Sequence, residues 1–300
     1  MPSPTRGSHD DARRNAASRG RTEALRSRAD ASRAGPDASR RYHDRVARRY
    51  DAIYHDAYWR FHDELTWRRI KPHLPRDLAV ECLDLGCGTG KWGLRLLKSG
   101  FATTFVDHSA AMIEQVRVKL DAMGPRQRKA HPLVADIVDL SALGDGRFGL
   151  ALALGDPLSI CADAEAAVRE IRRVLAAGGL VIATADNRAA ALEHYLQKGD
   201  VDGLERLVET GRTHWLTDDP AERFDLTTFT PCQFRRLFER AGFEVLELRG
   251  KTILPLRGSA LLDDHSAVPR LMRIEERLAE DESTAARAGH LQIVARKPSA

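Results

Sequence analysis

A doubly wound α/β fold with a mostly parallel sheet is what this sequence predicts, and three observations carry the prediction. Five short apolar runs alternate with helical patterns between residues 80 and 185, the rhythm of strands joined by right-handed helical crossovers. The first run opens into a loop with glycine at alternate positions, Gly86, Gly88 and Gly90. The runs end in small or acidic residues, Gly86, Asp107, Asp136, Gly155 and Asp186. In open sheets of this kind, ligands sit beyond the carboxyl ends of the strands, so these five residues converge on one site.

Residues 1–41 stand apart. Through position 45 the chain holds eleven Arg, no Lys and six acids, a net of +5 against +4 for all 300 residues. The pI near 9.0 therefore belongs to this tail, and the near-neutral remainder has no general excess of cations for a phosphate backbone. With Leu25 almost its only large apolar residue, the tail cannot bury enough surface to order itself and is predicted to be disordered. Asp10, Asp11, Glu23, Asp30 and Asp37 argue against a transit peptide. It is either a dispensable extension or a tether for RNA or an acidic partner.

Residues 42–300, with 43% hydrophobic content in the whole chain, suffice for one large domain. Four scattered cysteines, Cys82, Cys87, Cys161 and Cys232, form no C-x-x-C pair. This suits a reducing compartment and argues against a zinc site, so no metal is expected. No apolar run reaches the length of a membrane span, which leads to the expectation of a cytoplasmic protein.

A helical cap is predicted over 42–75. Tyr50, Tyr54, Tyr58, Phe61 and Leu65 share one helical face, and Pro72 and Pro75 close the region. The stretch 80–85 then reads as a buried strand feeding the glycine loop, with a helix after Gly90 marked by Trp92, Leu94, Leu96 and Leu97. Glycine suits the tight turn and lets a ligand lie against the backbone. A phosphate loop is excluded, because Leu85 and Trp92 stand where its leading glycine and hydroxyl belong. Gly88, Gly90 and Gly93 match a dinucleotide fingerprint only weakly, since it starts after the strand has ended.

The second strand, 101–106, ends in Asp107, 17 residues past Gly90. A carboxylate there can accept two hydrogen bonds from a ribose diol; its alternative is a helix cap, for which Ser109 is the natural candidate. A third strand, 131–135, ends at Asp136-Ile137. The nearly unbroken apolar run 148–154 reads as a central strand buried on both faces, ending in Gly155-Asp156-Pro157-Leu158. After a helix over 165–175 and a turn at Gly178-Gly179, a fifth strand over 180–185 ends in Asp186-Asn187-Arg188. Residues 187–230 break the rhythm with two short helical patterns and a polar extended stretch containing His214 and Trp215. They read as a lid over the site or as a surface elaboration. A helix over 231–241, a strand over 243–248, a charged helix over 267–278 and a last strand over 289–297 complete the chain. The charged helix is placed as a pocket cap or a subunit contact.

The segment Asp84-Leu85-Gly86-Cys87-Gly88-Thr89-Gly90 closely resembles the first motif of class I S-adenosylmethionine-dependent methyltransferases. Two further runs resemble the same family: Arg173-Val174-Leu175-Ala176-Ala177-Gly178-Gly179, with Ala-Ala where Lys-Pro is usual, and the stretch from Phe229 to Val245 written F-T-P-x-x-F-x-x-L-F-x-x-A-G-F-E-V. The resemblance spans about residues 45–298. It implies a seven-stranded Rossmann-like sheet with an antiparallel last strand, and S-adenosylmethionine as cofactor. It assigns the cofactor to Asp84, Gly86, Cys87, Gly88, Gly90, Asp107, His108, Met112, Asp136, Ile137 and Gly155. Within that set, Asp107 is the ribose acid, Met112 lies near the adenine, Asp136 receives the adenine amino group and Ile137 flanks the ring. Tyr50-Asp51-Ala52-Ile53-Tyr54 resembles a segment covering the methionine end, which adds Tyr50 and Tyr54; plain helix packing is their alternative. For Asp136 and Asp156 a turn or capping role is the alternative.

The implied activity is transfer of the sulfonium methyl to an O, N or C nucleophile by in-line displacement, largely through alignment and desolvation. Asp156, His108, His214, Asn187 and Arg188 are the candidates for a general base, none singled out. A small-molecule acceptor is expected. The alternatives are an RNA or protein methyltransferase using the basic tail, and a non-catalytic binder of the cofactor or an NAD-dependent oxidoreductase. The absence of an asparagine-proline-proline-aromatic motif after the fourth strand counts against nucleic acid.

Overall fold

A computed structural model describes residues 37–215 and 222–299. The tail expected over 1–41 lies outside the described residues up to position 36. Helix α1 (Asp37–Val46) then begins inside the stretch assigned to the tail. Its Tyr42 and Val46 are buried against Met112 and Phe224, a contact that local composition does not reveal. The cap continues through a short helical turn at Tyr50–Ile53 and helix α2 (Ala57–Ile70), whose N-cap Asp56 accepts from the Trp59 N–H.

The strands β1 (Cys82–Leu85), β2 (Thr103–Asp107), β3 (Ala130–Val134), β4 (Phe148–Ala153), β5 (Leu175–Asp186), β8 (Glu244–Lys251) and β9 (His290–Arg296) form one sheet in the order β3-β2-β1-β4-β5-β9-β8. Only β9 runs antiparallel, pairing with β5 on one side and β8 on the other. The seven strands and the antiparallel final strand agree with expectation. Strand order reverses between β1 and β4, and there the crossover helices leave on opposite faces and open a crevice.

Both faces are covered, which is why the central strands are apolar throughout. One face packs Leu83, Leu85, Ala151 and Val181 against α5 (Ala164–Val174) and α8 (Pro231–Arg240). The other packs Cys82, Leu150, Leu152 and Ile182 against Ile70 of α2 and Trp92 and Leu96 of α3 (Lys91–Lys98). Beyond β2, helix α4 (Ala110–Asp121) buries Ile113 and Val116.

Two elements differ from the sequence reading. Gly178-Gly179 does not precede the strand as a separate turn: β5 already begins at Leu175 and carries both glycines at a bend where its register against β4 shifts, Gly178 having φ +76. The neighbouring strand's end explains this, since Gly178 N–H donates to Lys297 O and Lys297 N–H to Gly179 O. The insertion forms a helical hairpin, α6 (Arg188–Lys198) and α7 (Val201–Thr210), followed by a two-stranded ribbon of β6 (Arg212–His214) and β7 (Asp225–Thr227). The extended stretch is thus partly paired. The charged helix α9 (Val268–Leu278) packs Met272 against Tyr58, Phe61 and Leu65 of α2, so within the chain it buttresses the cap.

Candidate active site

A cavity opens at the switch point between β1 and β4, beyond the carboxyl ends of the parallel strands. Its floor is the glycine loop. Gly86 has φ +60, and a Cβ there would come within 2.6 Å of the Pro157 side chain, so only glycine lets the loop pass under the end of β4. Asp84 does not line the cavity. Fully buried, it accepts the Gly93 N–H at 2.7 Å and ties α3 back to β1. Burial pushes its carboxyl up to about 7, the Gly93 N–H working in the opposite direction. Gly90 and Met112 also stand behind the wall: Gly90 faces Val116 and Phe105, and Met112 is sealed under Tyr42 and Phe224.

Asp107 ends β2 at the edge of the cavity. Its Oδ1 accepts the Ser109 N–H at 2.9 Å and its Oδ2 the Gly88 N–H at 2.8 Å. The carboxylate therefore clamps the glycine loop while its remaining lone pairs stay available. Ser109 takes the capping role, its hydroxyl accepting the Met112 N–H. His108, Asp136, Ile137, Cys87, Gly88 and Gly155 line the same space. Asp136 also accepts the Val138 N–H at 3.1 Å, so the turn role and the lining position coincide.

The wall opposite the loop is aromatic. Tyr50 and Tyr54 lie 4.9 Å apart, and Trp59 meets Tyr54 edge-on at 4.8 Å. Burial lifts both phenols well above their ordinary range. Between them in sequence, Asp51 reaches the other way, pairing with the Thr89 hydroxyl and with Lys119 at 2.6 Å. This acid fastens the cap to the glycine loop. Trp215, stacked on Phe224 at 5.7 Å, extends the wall from the insertion.

At the far end of the cavity the lining turns polar, with His62, Asp63, Lys91, Asp156, Asp186, Lys251 and His290. His290 Nδ1 lies 2.8 Å from Asp156 Oδ2 and 3.9 Å from Asp186 Oδ1. Burial acts to raise Asp156, but the imidazole facing it prevails and holds it well below the carboxylate range. Burial and then the Asp156 charge push Asp186 up to about 7. Lys251 is brought down to about 8 by burial, and burial with the nearby Lys251 charge takes His62 down to about 3. Lys91 is paired with Asp63 at 2.7 Å.

Of the candidate bases, only Asp156 and His108 reach the cavity. Asn187 is a structural clamp, its Nδ2 donating to the carbonyls of Ala285, Ala286 and Ala288 at 3.0, 3.1 and 2.6 Å. Arg188 turns to Thr228 O at 3.2 Å, and His214 pairs with Asp225 across the ribbon at 3.0 Å. Lys251 and His290, absent from the sequence reading, arrive from β8 and β9. The available signal was alternation. In the predicted last strand the polar His290 and Gln292 alternate with the apolar Leu291 and Ile293.

Residues 82–179 match the methyltransferase domain family. A demethylmenaquinone methyltransferase of Leptospira interrogans is 32% identical over 136 residues, 42% of this chain and 54% of that protein. The chain spans about half or less of the length of the curated relatives it matches. Among solved structures, a SAM-dependent methyltransferase from Methanosarcina mazei aligns with a TM-score of 0.57 at 21% identity, covering 77% of this chain and 98% of that one. The [4+2]-cyclase SpnF aligns at 0.52 with 20% identity, covering 79% and 81%. The fold is therefore that of the SAM-dependent methyltransferases, and SpnF illustrates that this fold also carries other chemistry. The cofactor implied is S-adenosylmethionine, and the cavity fits it. Asp107 has acceptor capacity to spare for a diol, and a Cβ added at Gly155 would meet no atom within 4 Å, leaving room beside the loop.

Proposed function

Because residues 82–179 match the methyltransferase domain family and the fold is that of SAM-dependent methyltransferases, we propose that this chain is a class I S-adenosylmethionine-dependent methyltransferase and that it methylates a small-molecule acceptor held at the polar end of the cavity. The observation that carries the reading is the Asp107 clamp, a nearly buried carboxylate fixed by two backbone N–H groups at the lip of the glycine loop. Bound there, S-adenosylmethionine supplies a methyl group made electrophilic by its sulfonium. Asp107 is assigned the ribose hydroxyls, and Asp136 with Ile137 the adenine. The backbone of Gly86 and Gly88 allows close approach, and Tyr50, Tyr54 and Trp59 exclude water from the middle of the cavity. His214, Asn187 and Arg188 take no part. A small acceptor is favoured because His62 of α2, Asp156 and Lys251 line the polar end as buried side chains, which leaves them out of reach of a bulky partner.

Calorimetry with S-adenosylhomocysteine tests the assignment. Asp107→Ala removes two charge-assisted hydrogen bonds to a diol and should weaken binding on the order of 10²-fold. Unchanged affinity in a variant that still melts cooperatively would overturn the placement of the cofactor. Incubation with metabolite extract and methyl-labelled cofactor then identifies the acceptor.

A further inference from the structure

The cavity's polar end holds an arrangement that hydrogen bonding does not explain. Asp156 follows β4, Asp186 ends β5 and His290 begins β9, with Asp186 and His290 as direct cross-strand partners. One ligand atom from each lies within 4.8 Å of the others. Asp156 is nine-tenths buried, yet its Oδ1 has no hydrogen-bond partner, and neither does the buried His290 Nδ1. The 2.8 Å approach of His290 Nδ1 to Asp156 Oδ2 therefore lacks the alignment of a hydrogen bond, and two polar atoms are left unsatisfied at a real cost. A third body between them would satisfy both. The 2.8 Å separation is close to the roughly 2.9 Å edge between adjacent ligands of a six-coordinate cation with bonds of about 2.0–2.1 Å.

We propose that Asp156, Asp186 and His290 bind a divalent cation at the acceptor end of the cavity. Two carboxylates and an imidazole make a hard-to-borderline set suited to Mn²⁺, Mg²⁺ or Zn²⁺, and three protein ligands leave positions open toward the cavity. The set is held ready. Asp156 sits in the left-handed region at φ 63, and Thr184 Oγ1 accepts both the Gly155 and Asp156 N–H groups at 3.1 and 3.2 Å. The Asp186 N–H is fixed on Ser159 Oγ at 2.9 Å. Lys251, the cross-strand neighbour of His290 on its other side, points its ammonium at Thr66 Oγ1 of α2, 3.4 Å away, leaving the acidic side of the row to the ion. The site adds to the methyltransferase reading and stands independently of it.

The test uses tag-free full-length protein, stripped with EDTA and desalted, titrated with Mn²⁺ and followed by the loss of the free-ion EPR signal. Zn²⁺ and Mg²⁺ are titrated separately by calorimetry. One Mn²⁺ per chain is expected, with affinity reduced at least ~10-fold in Asp186→Asn and in His290→Gln. Native mass spectrometry of the same samples with S-adenosylhomocysteine reports the cofactor site separately. No saturable binding of any of the three ions to the wild-type chain up to ~1 mM, weaker than the sites of extracellular calcium modules, would overturn the proposal. Binding that both variants retain at full strength would overturn it equally. Loss of ion binding with cofactor binding intact supports it.

Discussion

Asp84 shows how one residue can be legible in kind and misplaced in role. It sits in the segment that resembles the family's first motif, but its carboxylate faces the core and the Gly93 N–H. Its Oδ1 is buried without a partner, which disfavours the charged form. With a folded-state value of about 7 against an ordinary 3.8, the folded chain keeps a proton that the unfolded chain loses. Stability from this group is thus full below pH ~4 and falls as pH rises toward 7. Asp84→Asn keeps an acceptor for Gly93 without the charge, so its urea midpoint should gain on wild type between pH 4 and 7. Parallel profiles for the two proteins would refute the placement. Asn187 is the opposite case, a residue assigned to chemistry that holds three carbonyls instead. Asn187→Ala should cost about 2–4 kcal/mol in urea unfolding, because buried acceptors lose their donor, while leaving affinity for S-adenosylhomocysteine near wild type.

At the scale of elements, α2 is the most informative. Its aromatic face, Tyr58, Phe61 and Leu65, was readable from the helical repeat, and it packs on Leu256, Leu262 and Met272. What the repeat did not reveal is a second buried stripe, His62, Thr66 and Arg69, set against the polar ends of β8 and β9. Arg69 donates to Gly250 O at 2.8 Å and pairs with Glu276 at 3.2 Å, joining α2, β8 and α9. Arg69→Ala should therefore destabilise the chain by about 2–3 kcal/mol, measured by urea unfolding, as a buried carbonyl and a half-buried carboxylate lose a charged donor. Such a stripe reads in sequence as the solvated side of a helix, since burial of polar residues depends on partners far along the chain. The N-terminus of α8 was easier: Thr230, Pro231 and Gln233 form a capping box, a local device written in consecutive residues.

For the molecule as a whole, the cap and the insertion meet over the cavity. Tyr42 of α1 lies 5.4 Å from Phe224, which stacks on Trp215, and Arg49 reaches Glu222 at 3.5 Å. These contacts make α1, from Asp37 onward, part of the folded domain. Removing residues 1–36 should leave the melting temperature and cofactor affinity unchanged, whereas removing residues 1–49 strips Tyr42 and Val46 from their buried cluster and should lower both. Equal behaviour of the two truncations in a thermal melt would contradict this clasp. Among the described residues no helix is long and apolar enough to cross a membrane.

By itself the sequence determined the sheet, the glycine loop and the ligand edge, because strand periodicity, tight-turn glycines and a terminal acid such as Asp107 are local requirements. It also carried Tyr50 and Tyr54 to the cavity wall through a compact motif. Only the tertiary structure decided the acceptor end. Asp156 follows β4, and Asp186, Lys251 and His290 lie in β5, β8 and β9, far apart in sequence; their chemistry arises from mutual burial. Antiparallel pairing of β9 with β5 and β8 sets His290 between Asp186 and Lys251, a register that depends on how the whole sheet closes and that no local pattern of residues encodes.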